Sequence, residues 1–445
     1  MLEIINSVVW GAPALLAIIG VGLYFSIRSR FSQLTLFGAS VRAFFGQFTN
    51  PSRSSYRALC TALAATVGTG NIIGVAGAIV IGGPGSIFWM WVCGGLGMII
   101  KFAEATLAVR YRRVNKKGEY IGGTMHMIQD GLGKRWRWLA FVYCVLGIFA
   151  SFGVGNGAQI NAIVESINLY RGGITIEIRY LIGIVLAVTV AAVLLGGAKR
   201  IGILAEKLVP IAAGIYILLC VVVLSLEAKN IPGAFQSIFV GAFQPKAATG
   251  GIIGSAFKAL SIGASRGTFT NEAGMGTASI AHAGADVSHP VEQGLLGLWE
   301  VFLDTIVICT LTALVILCSG LNIPYGMENS ATLTMDAFRF VLGDWVKLPV
   351  TVLIACFAVA TVFGWSLYGI RCMQYLFGEA SWKLYIAVQV VVVALSAMIQ
   401  TEKIWTFSET MNGLMLLPNL FALVCLSPEL FRLTEEYKSM VKYSG

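Results

Sequence analysis

Charge is scarce in this chain. Only 12% of its 445 residues are Asp, Glu, Lys or Arg, whereas soluble domains carry roughly 25%. That shortage excludes a water-soluble domain, which could not hide 57% hydrophobic residues at a mean hydropathy of +0.80. Short alternating segments are missing too, so an outer-membrane barrel is excluded. No basic segment precedes the first apolar run, which therefore reads as a retained helix rather than a cleaved signal. A Walker motif is lacking, which argues against ATP-driven transport. The nine cysteines never form CxxC and read as small core residues, and His126, His282 and His289 lack metal-ligand spacing. Nothing resembles the paired nucleophile and base of an intramembrane enzyme or the selectivity ring of a channel, and no cofactor is implied.

What is present is a series of apolar runs of about 20 residues, each long enough to cross a bilayer. They predict an all-α polytopic membrane protein with about 11 transmembrane helices, near 5–27, 58–79, 86–109, 137–166, 179–197, 206–226, 250–283, 291–319, 347–377, 382–400 and 405–431. Lys258, Arg266 and Glu272 interrupt the seventh. With the N-terminus outside, the inward-facing segments hold 22 Lys and Arg and the outward-facing ones seven; Lys101 and Lys258, inside spans, complete the 31. The bias predicts an external N-terminus and a cytoplasmic C-terminus in the cell (inner or plasma) membrane. The net charge of +9 is thus a topology signal, with a secondary attraction to anionic membrane lipid and no call for nucleic acid.

The run Cys60–Val80 has a polar centre, Thr66-Val67-Gly68-Thr69-Gly70-Asn71, that suits a rigid membrane helix poorly. A second such centre, Gly263 to Glu272, lies in 250–283. Glycines of this kind also serve close helix packing. Paired at the head of each half, however, they predict two inverted five-helix repeats with discontinuous first helices, plus one extra N-terminal helix. The single transporter domain 1–445 then divides into an extra helix (1–30), a first repeat (58–226), a second repeat (250–431) and a cytoplasmic tail (432–445). Unwinding a turn in lipid strands N–H and C=O groups at several kcal/mol each. A cation satisfies the carbonyls, and a zwitterion satisfies both kinds of group. Such a break suits a small amino acid with Na⁺.

Five stretches carry a family resemblance: GTGNIIGVAGAI (68–79), GGPGSIFWMWVCGGLGM (82–98), GNGAQINAIVESI (155–167), FTNEAGMGTASIAHA (269–283) and FGWSLYG (363–369). Taken in order over nearly the whole chain, they resemble the sodium:alanine (and glycine) symporter family of amino-acid transporters. The resemblance implies a leucine-transporter-type fold and Na⁺-coupled symport of a small neutral amino acid, alanine or glycine, by alternating access. It implies a substrate site at Thr69, Gly70, Asn71 and Gln159, with Thr361 and Trp365 sharing a face of the ninth span. Phe152, seven residues before Gln159, is expected on the same helical face. By similarity to the wider fold, Na⁺ would meet the carbonyls of Ala64, Val67 and Ala358 and the Thr361 hydroxyl. The chain departs from the family's more usual NMVQ-like run at Asn156-Gly157-Ala158-Gln159. Proton coupling on the same fold and Na⁺-coupled glutamine transport remain the alternatives.

Other polar residues carry expectations. Lys101 and Glu104 read as a surface pair that snorkels. Glu300 and Asp304, four apart in a span, read as functional acids or as partners of Lys258. Arg266 and Glu272 read as an inner gate clamping the cytoplasmic half-helix or as a salt bridge ordering a loop. Thr270 would cap a helix starting at Asn271. His282 and His289 would be solvated or capping, and Trp89 and Trp91 interfacial anchors.

Overall fold

The computed structural model describes residues 2–49, 53–249, 251, 255–326, 332–399 and 401–443. Residues 250 and 252–254, which open the expected second repeat, lie outside the described residues, as do residues 1, 444 and 445 at the chain ends. Apart from a two-residue antiparallel pairing of Arg113–Val114 with Tyr120–Ile121, the regular structure is helical. The principal helices are α1 (Ala12–Arg28), α2 (Arg53–Thr66), α3 (Ile73–Gly82), α4 (Gly85–Arg110), α5 (Arg137–Phe152), α6 (Ala158–Arg171), α7 (Ile176–Leu194) and α8 (Gly197–Leu226). Then come α9 (Ala256–Asn271), α10 (Thr277–His282), α11 (Pro290–Val301), α12 (Thr310–Cys318), α13 (Lys347–Phe377), α14 (Trp382–Ser396), α15 (Thr401–Cys425) and α16 (Ser427–Tyr443).

Local signals set several ends. Ser255 caps α9 by accepting the Phe257 N–H at 3.2 Å, and His289 caps α11 by accepting the Val291 N–H at 3.2 Å, with Pro290 in the first turn. The capping expectation for His289 therefore holds. π-helical turns join α5 to α6 (Gly153–Gly157) and α11 to α12 (Phe302–Cys309). Such turns often mark functional sites.

Among the described residues, eight helices are long and apolar enough to cross a bilayer, or ten if each of two bent pairs counts as one span. One bent pair is α2 with the segment from Thr69 to Gly82, at 53°; the other is α15 with α16, at 60°. The expected seventh span, 250–283, does not qualify. Its described part is a 16-residue α9 and a six-residue α10 separated by a break, and about 20 residues are needed to span. The expected tail at 432–445 begins inside α16. Helices at Phe37–Thr49, Ile231–Phe243 and Leu333–Leu342 were not anticipated, because they are too short to register as spans.

Burial sorts the helices into centre and rim. In α4, 83% of the apolar window is buried, against 22% in α7 and 28% in α8. The rim helices turn Ile184, Val188 and Leu218 outward, as lipid contact requires. Central α4 packs on α9 and α11, while α2 packs on α8 and α13. At Gly364 of α13 an added Cβ would lie 2.8 Å from the Ala65 backbone nitrogen, so only glycine admits α2 this closely. That approach carries Thr361 to the C-terminal end of α2.

Candidate functional site

After Thr66 the chain leaves α2, runs extended through Gly68, makes a single tight turn at Thr69–Asn71 and enters α3. The released backbone groups find partners in side chains. The Gly68 N–H donates to Asn71 Oδ1 at 2.9 Å. Thr69 donates through its N–H (3.4 Å) and hydroxyl (2.9 Å) to Gln159 Oε1 of α6. Asn71 Nδ2 donates to Asp304 Oδ1 at 2.7 Å and reaches Cys309 Sγ at 3.3 Å. Thr361 Oγ1 would lie 2.4 Å from a Cβ on Gly68, so its hydroxyl abuts the break. Trp365, one turn on, is wholly buried. Trp365 Nε1 faces the Glu272 carboxyl, whereas Thr361 Oγ1 has no hydrogen-bond partner among the described residues. An orphaned buried hydroxyl beside an unwound turn is costly unless something binds there.

Of the residues expected here, Thr69, Gly70, Asn71, Gln159, Thr361 and Trp365 are all buried in this centre. Ala64, Val67 and Ala358 are buried as well, the first two on the last turn of α2 and at its exit. Phe152 does not join them. The π-helical turn before Gln159 adds a residue, which rotates the register by about 100°. Phe152 stacks instead on Tyr385, with ring centroids 5.4 Å apart, in a separate apolar cluster.

The second break lies later than expected. α9 stays helical through Gly263–Asn271, and the chain unwinds over Glu272–Gly276. Glu272 (φ 55°), Gly274 (91°) and Gly276 (77°) adopt left-handed backbone there. Glu104 Oε1 fills this break, accepting the N–H groups of Gly274 and Gly276, each at 2.9 Å, and Asn419 Nδ2 at 2.7 Å. Asn419 Nδ2 also donates to the Gly274 carbonyl, 2.8 Å away. Thr270 caps nothing; its hydroxyl donates back to the Gly267 carbonyl within α9. Asp304 links the two breaks. It accepts from Asn71 on one side and from the Thr305 hydroxyl (2.9 Å) on the other, and Thr305 accepts from Asn271 Nδ2 at 2.9 Å.

Four expectations about charge are overturned. Lys101 and Glu104 are not a surface pair: both are wholly buried. Lys101, not Lys258, pairs with Glu300, at 3.2 Å, while Lys258 is exposed near the start of α9. Arg266 and Glu272 do not meet. Arg266 pairs with Glu409 of α15 at 2.9 Å beneath the Trp405 ring, and Glu272 accepts from the Thr277 hydroxyl at 2.6 Å. His282 is neither solvated nor a cap, but buried between Glu300 (2.9 Å) and Gln293 (2.7 Å). With the proton on Nε2, His282 donates to Glu300 and accepts from Gln293. Trp89 and Trp91 tie helices together through the Ala242 carbonyl (3.2 Å) and Thr310 hydroxyl (2.7 Å). Glu300 and Asp304, four apart, are sent to different partners because the π-helical turn begins between them.

The centre therefore holds four buried carboxyls (Glu104, Glu272, Glu300 and Asp304) against one lysine and one histidine. Buried charge requires compensation, so this balance favours uptake of a cation, whether a metal ion or protons. On the α9 side, Arg266–Glu409 and the Phe269–Trp405 ring pair (4.8 Å) close the centre. The amino-acid pattern does not point to Asn419, Thr305 or Cys309 as members of this centre, and it puts Lys101 at the surface. For Lys101 a signal existed, as a lysine inside a span; Asn419 offered none.

The sequence profile of the sodium:alanine symporter family matches residues 1–444. A Methanococcus maripaludis protein described as sodium/alanine symporter AgcS is 38% identical over 449 residues, covering 99% of this chain and 98% of the relative. A Bacillus subtilis protein described as probable sodium/glutamine symporter GlnT is 34% identical over 446 residues, covering 99% of this chain and 90% of the relative. Among solved structures, MhsT in complex with L-phenylalanine matches with a TM-score of 0.61 at 14% identity, covering 83% of this chain and 88% of that one. At that identity the likeness speaks for the fold.

Proposed function

This chain belongs to the sodium:alanine symporter family, a family of integral multi-pass transporters rather than enzymes, and from that premise we propose that it carries alanine or glycine across the cell membrane together with Na⁺. The observation that carries the reading is the first break, where the Thr361 hydroxyl sits buried beside an unwound turn with no partner among the described residues. The amino acid's carboxylate and ammonium engage Thr69, Gly70 and Asn71, with Gln159 fixing the turn and Trp365 closing over the side chain. Na⁺ is a co-substrate. Its hard oxygen ligands are the carbonyls of Ala64, Val67 and Ala358 and the Thr361 hydroxyl, and the excess of buried carboxyls supplies a favourable field.

The cycle is alternating access between two inverted repeats, 58–226 and 250–431, with 1–30 as an extra helix, the N-terminus outside and the C-terminus cytoplasmic. Arg266–Glu409 and Phe269–Trp405 form a gate over the α9 side of the site. Na⁺ orders the end of α2, the amino acid then bridges the first break to α9, and closure of the gate precedes inward opening. Uptake of radiolabelled amino acids into proteoliposomes tests this. Alanine or glycine should accumulate under an imposed Na⁺ gradient; the absence of both, or accumulation indifferent to Na⁺, overturns the proposal.

A second reading is supported by the same carboxyl excess: protons in place of Na⁺, taken up at Glu300, Asp304 or His282. Accumulation driven by a pH jump in Na⁺-free buffer would favour it. Glutamine outcompeting alanine in the same assay would favour the substrate of the Bacillus relative.

A further inference from the structure

A cavity of about 1160 Å³ lies away from the central site. The loop 110–137, the α7–α8 connection and the ends of α13 and α14 enclose it. Six cations line it: Arg113, Lys117, Arg137, Lys199, Arg371 and Lys383, against two carboxylates, Glu119 and Glu379. Arg113 is neutralised by Asp130, and Arg371 has only Glu119, at 3.9 Å. Among the described residues, Lys117, Arg137, Lys199 and Lys383 have no carboxylate within ion-pair distance. His126, 7% exposed, lines the same cavity with its Nδ1 unpartnered. The N-terminal residues of α5, α8 and α14 (Arg137, Gly197 and Trp382) also line it, adding three positive helix ends.

The other wall is apolar. Trp138 is 58% exposed and Phe141 54%, both on α5, and Leu195, just past the end of α7, is 66% exposed. Unneutralised cations beside exposed aromatic and aliphatic side chains, at the level where spans meet the membrane surface, match an amphiphile with a negative head. A free phosphate would use the cations and leave the apolar wall without a role.

We propose that this cavity binds one anionic phospholipid, its phosphate held by Arg137, Lys199, Arg371 and Lys383 and its acyl chain laid along Trp138, Phe141 and Leu195. The proposal rests on the chain's place in a membrane and not on which substrate or ion it carries.

Native mass spectrometry of the detergent-purified protein, titrated with phosphatidylglycerol or phosphatidylcholine, tests it. The wild type should retain one phosphatidylglycerol in preference to phosphatidylcholine. Each basic side chain near a lipid surface contributes enough that the combined Arg137→Gln, Lys199→Gln and Lys383→Gln variant should lose roughly a hundredfold in that affinity. Equal retention of both lipids, or an unchanged variant, overturns the proposal. Displacement of the lipid by millimolar inorganic phosphate or glycerol 3-phosphate assigns the cavity to a soluble phosphate and also overturns it. Should the triple variant fail to fold, a photoactivatable phosphatidylglycerol on the wild type decides: crosslinks must fall within 113–141, 194–199 or 367–383, and labelling only elsewhere refutes the site. Neither measurement involves transport, so its outcome is separable from that of the uptake assay.

Discussion

The two breaks of the helix ladder are closed by different means. At Glu272–Gly276 a carboxylate from another helix, Glu104, accepts two backbone N–H groups and an asparagine amide. That break carries its own resident anion. At Thr66–Ile72 the closure comes from Asn71 within the turn and from the neutral amide of Gln159 on α6, and the neighbouring Thr361 hydroxyl on α13 has no partner among the described residues. One break has its released N–H groups taken up by a side chain of the protein, and the other leaves a buried hydroxyl beside it for what it binds. A pair of unwound turns in one molecule can thus divide the work: the first is shaped for exchange, the second for holding the scaffold still.

Substitutions that separate stability from transport would break or sharpen this contrast. The largest effect is expected from Glu104→Ala. It strands two buried N–H groups and the Asn419 amide, and each unsatisfied buried group costs roughly 1–3 kcal/mol. Thermal unfolding in detergent should show a large loss, with little protein left to assay. An unchanged melting temperature would mean that the second break does not depend on its anion.

Asn71→Ala should come next. It removes the Gly68 cap and the link to Asp304 together, so alanine uptake should fall at least roughly tenfold, equivalent to about 1.4 kcal/mol, while the protein still purifies. Wild-type uptake would sink the assignment of the first break as the exchange site. Thr361→Val is smaller and more selective. The hydroxyl has no partner among the described residues, so stability should hold while the Na⁺ concentration for half-maximal uptake rises several-fold, and Thr361→Ser should restore it. A matching loss of melting temperature would show the hydroxyl to be structural.

The smallest effect serves as a control outside both breaks. Burial pushes the His126 imidazole down from its ordinary 6.5 to about 4. The unfolded chain therefore takes up a proton between those values and the folded chain does not, so stability is full above about pH 6.5 and falls as pH drops toward 4. His126→Phe should flatten that slope in melting experiments from pH 4 to 7 without changing uptake at pH 7. If the slope survives, another group is responsible.

The sequence made one break legible and displaced the other, for a physical reason. Gly68-Thr69-Gly70-Asn71 interrupts an apolar run with polar groups, and the interruption is the break. In the second half, glycine did two jobs. Gly263 is a packing glycine: an added Cβ would fall 2.4 Å from the Ser86 carbonyl oxygen, so it keeps α9 close to α4 without unwinding it. The glycines that unwind the chain are Gly274 and Gly276, marked only by their left-handed backbone. Composition cannot tell a close approach from a positive φ. Burial of Lys101 was hidden in the same way. Its partner Glu300 lies on another helix, and depth along a helix says nothing about which neighbour covers it. The family's motifs named Gln159 and Thr361, which the structure brings to the first break. Helical spacing put Phe152 on the face of Gln159, and a π-helical turn rotates it away.

The Lys101–Glu300 pair sets a timetable. α4, with Lys101 and Glu104 on it, leaves the ribosome roughly 200 residues before α11 brings Glu300 and Asp304, an interval of roughly 10–40 s at ordinary rates of synthesis. Throughout that interval an ammonium and a carboxyl are held in or beside the membrane without their final partners, at a cost too large for α4 to settle stably in lipid alone. The first half of this protein must wait for the second, sheltered by the insertion machinery or by water, before its most buried helix can come to rest.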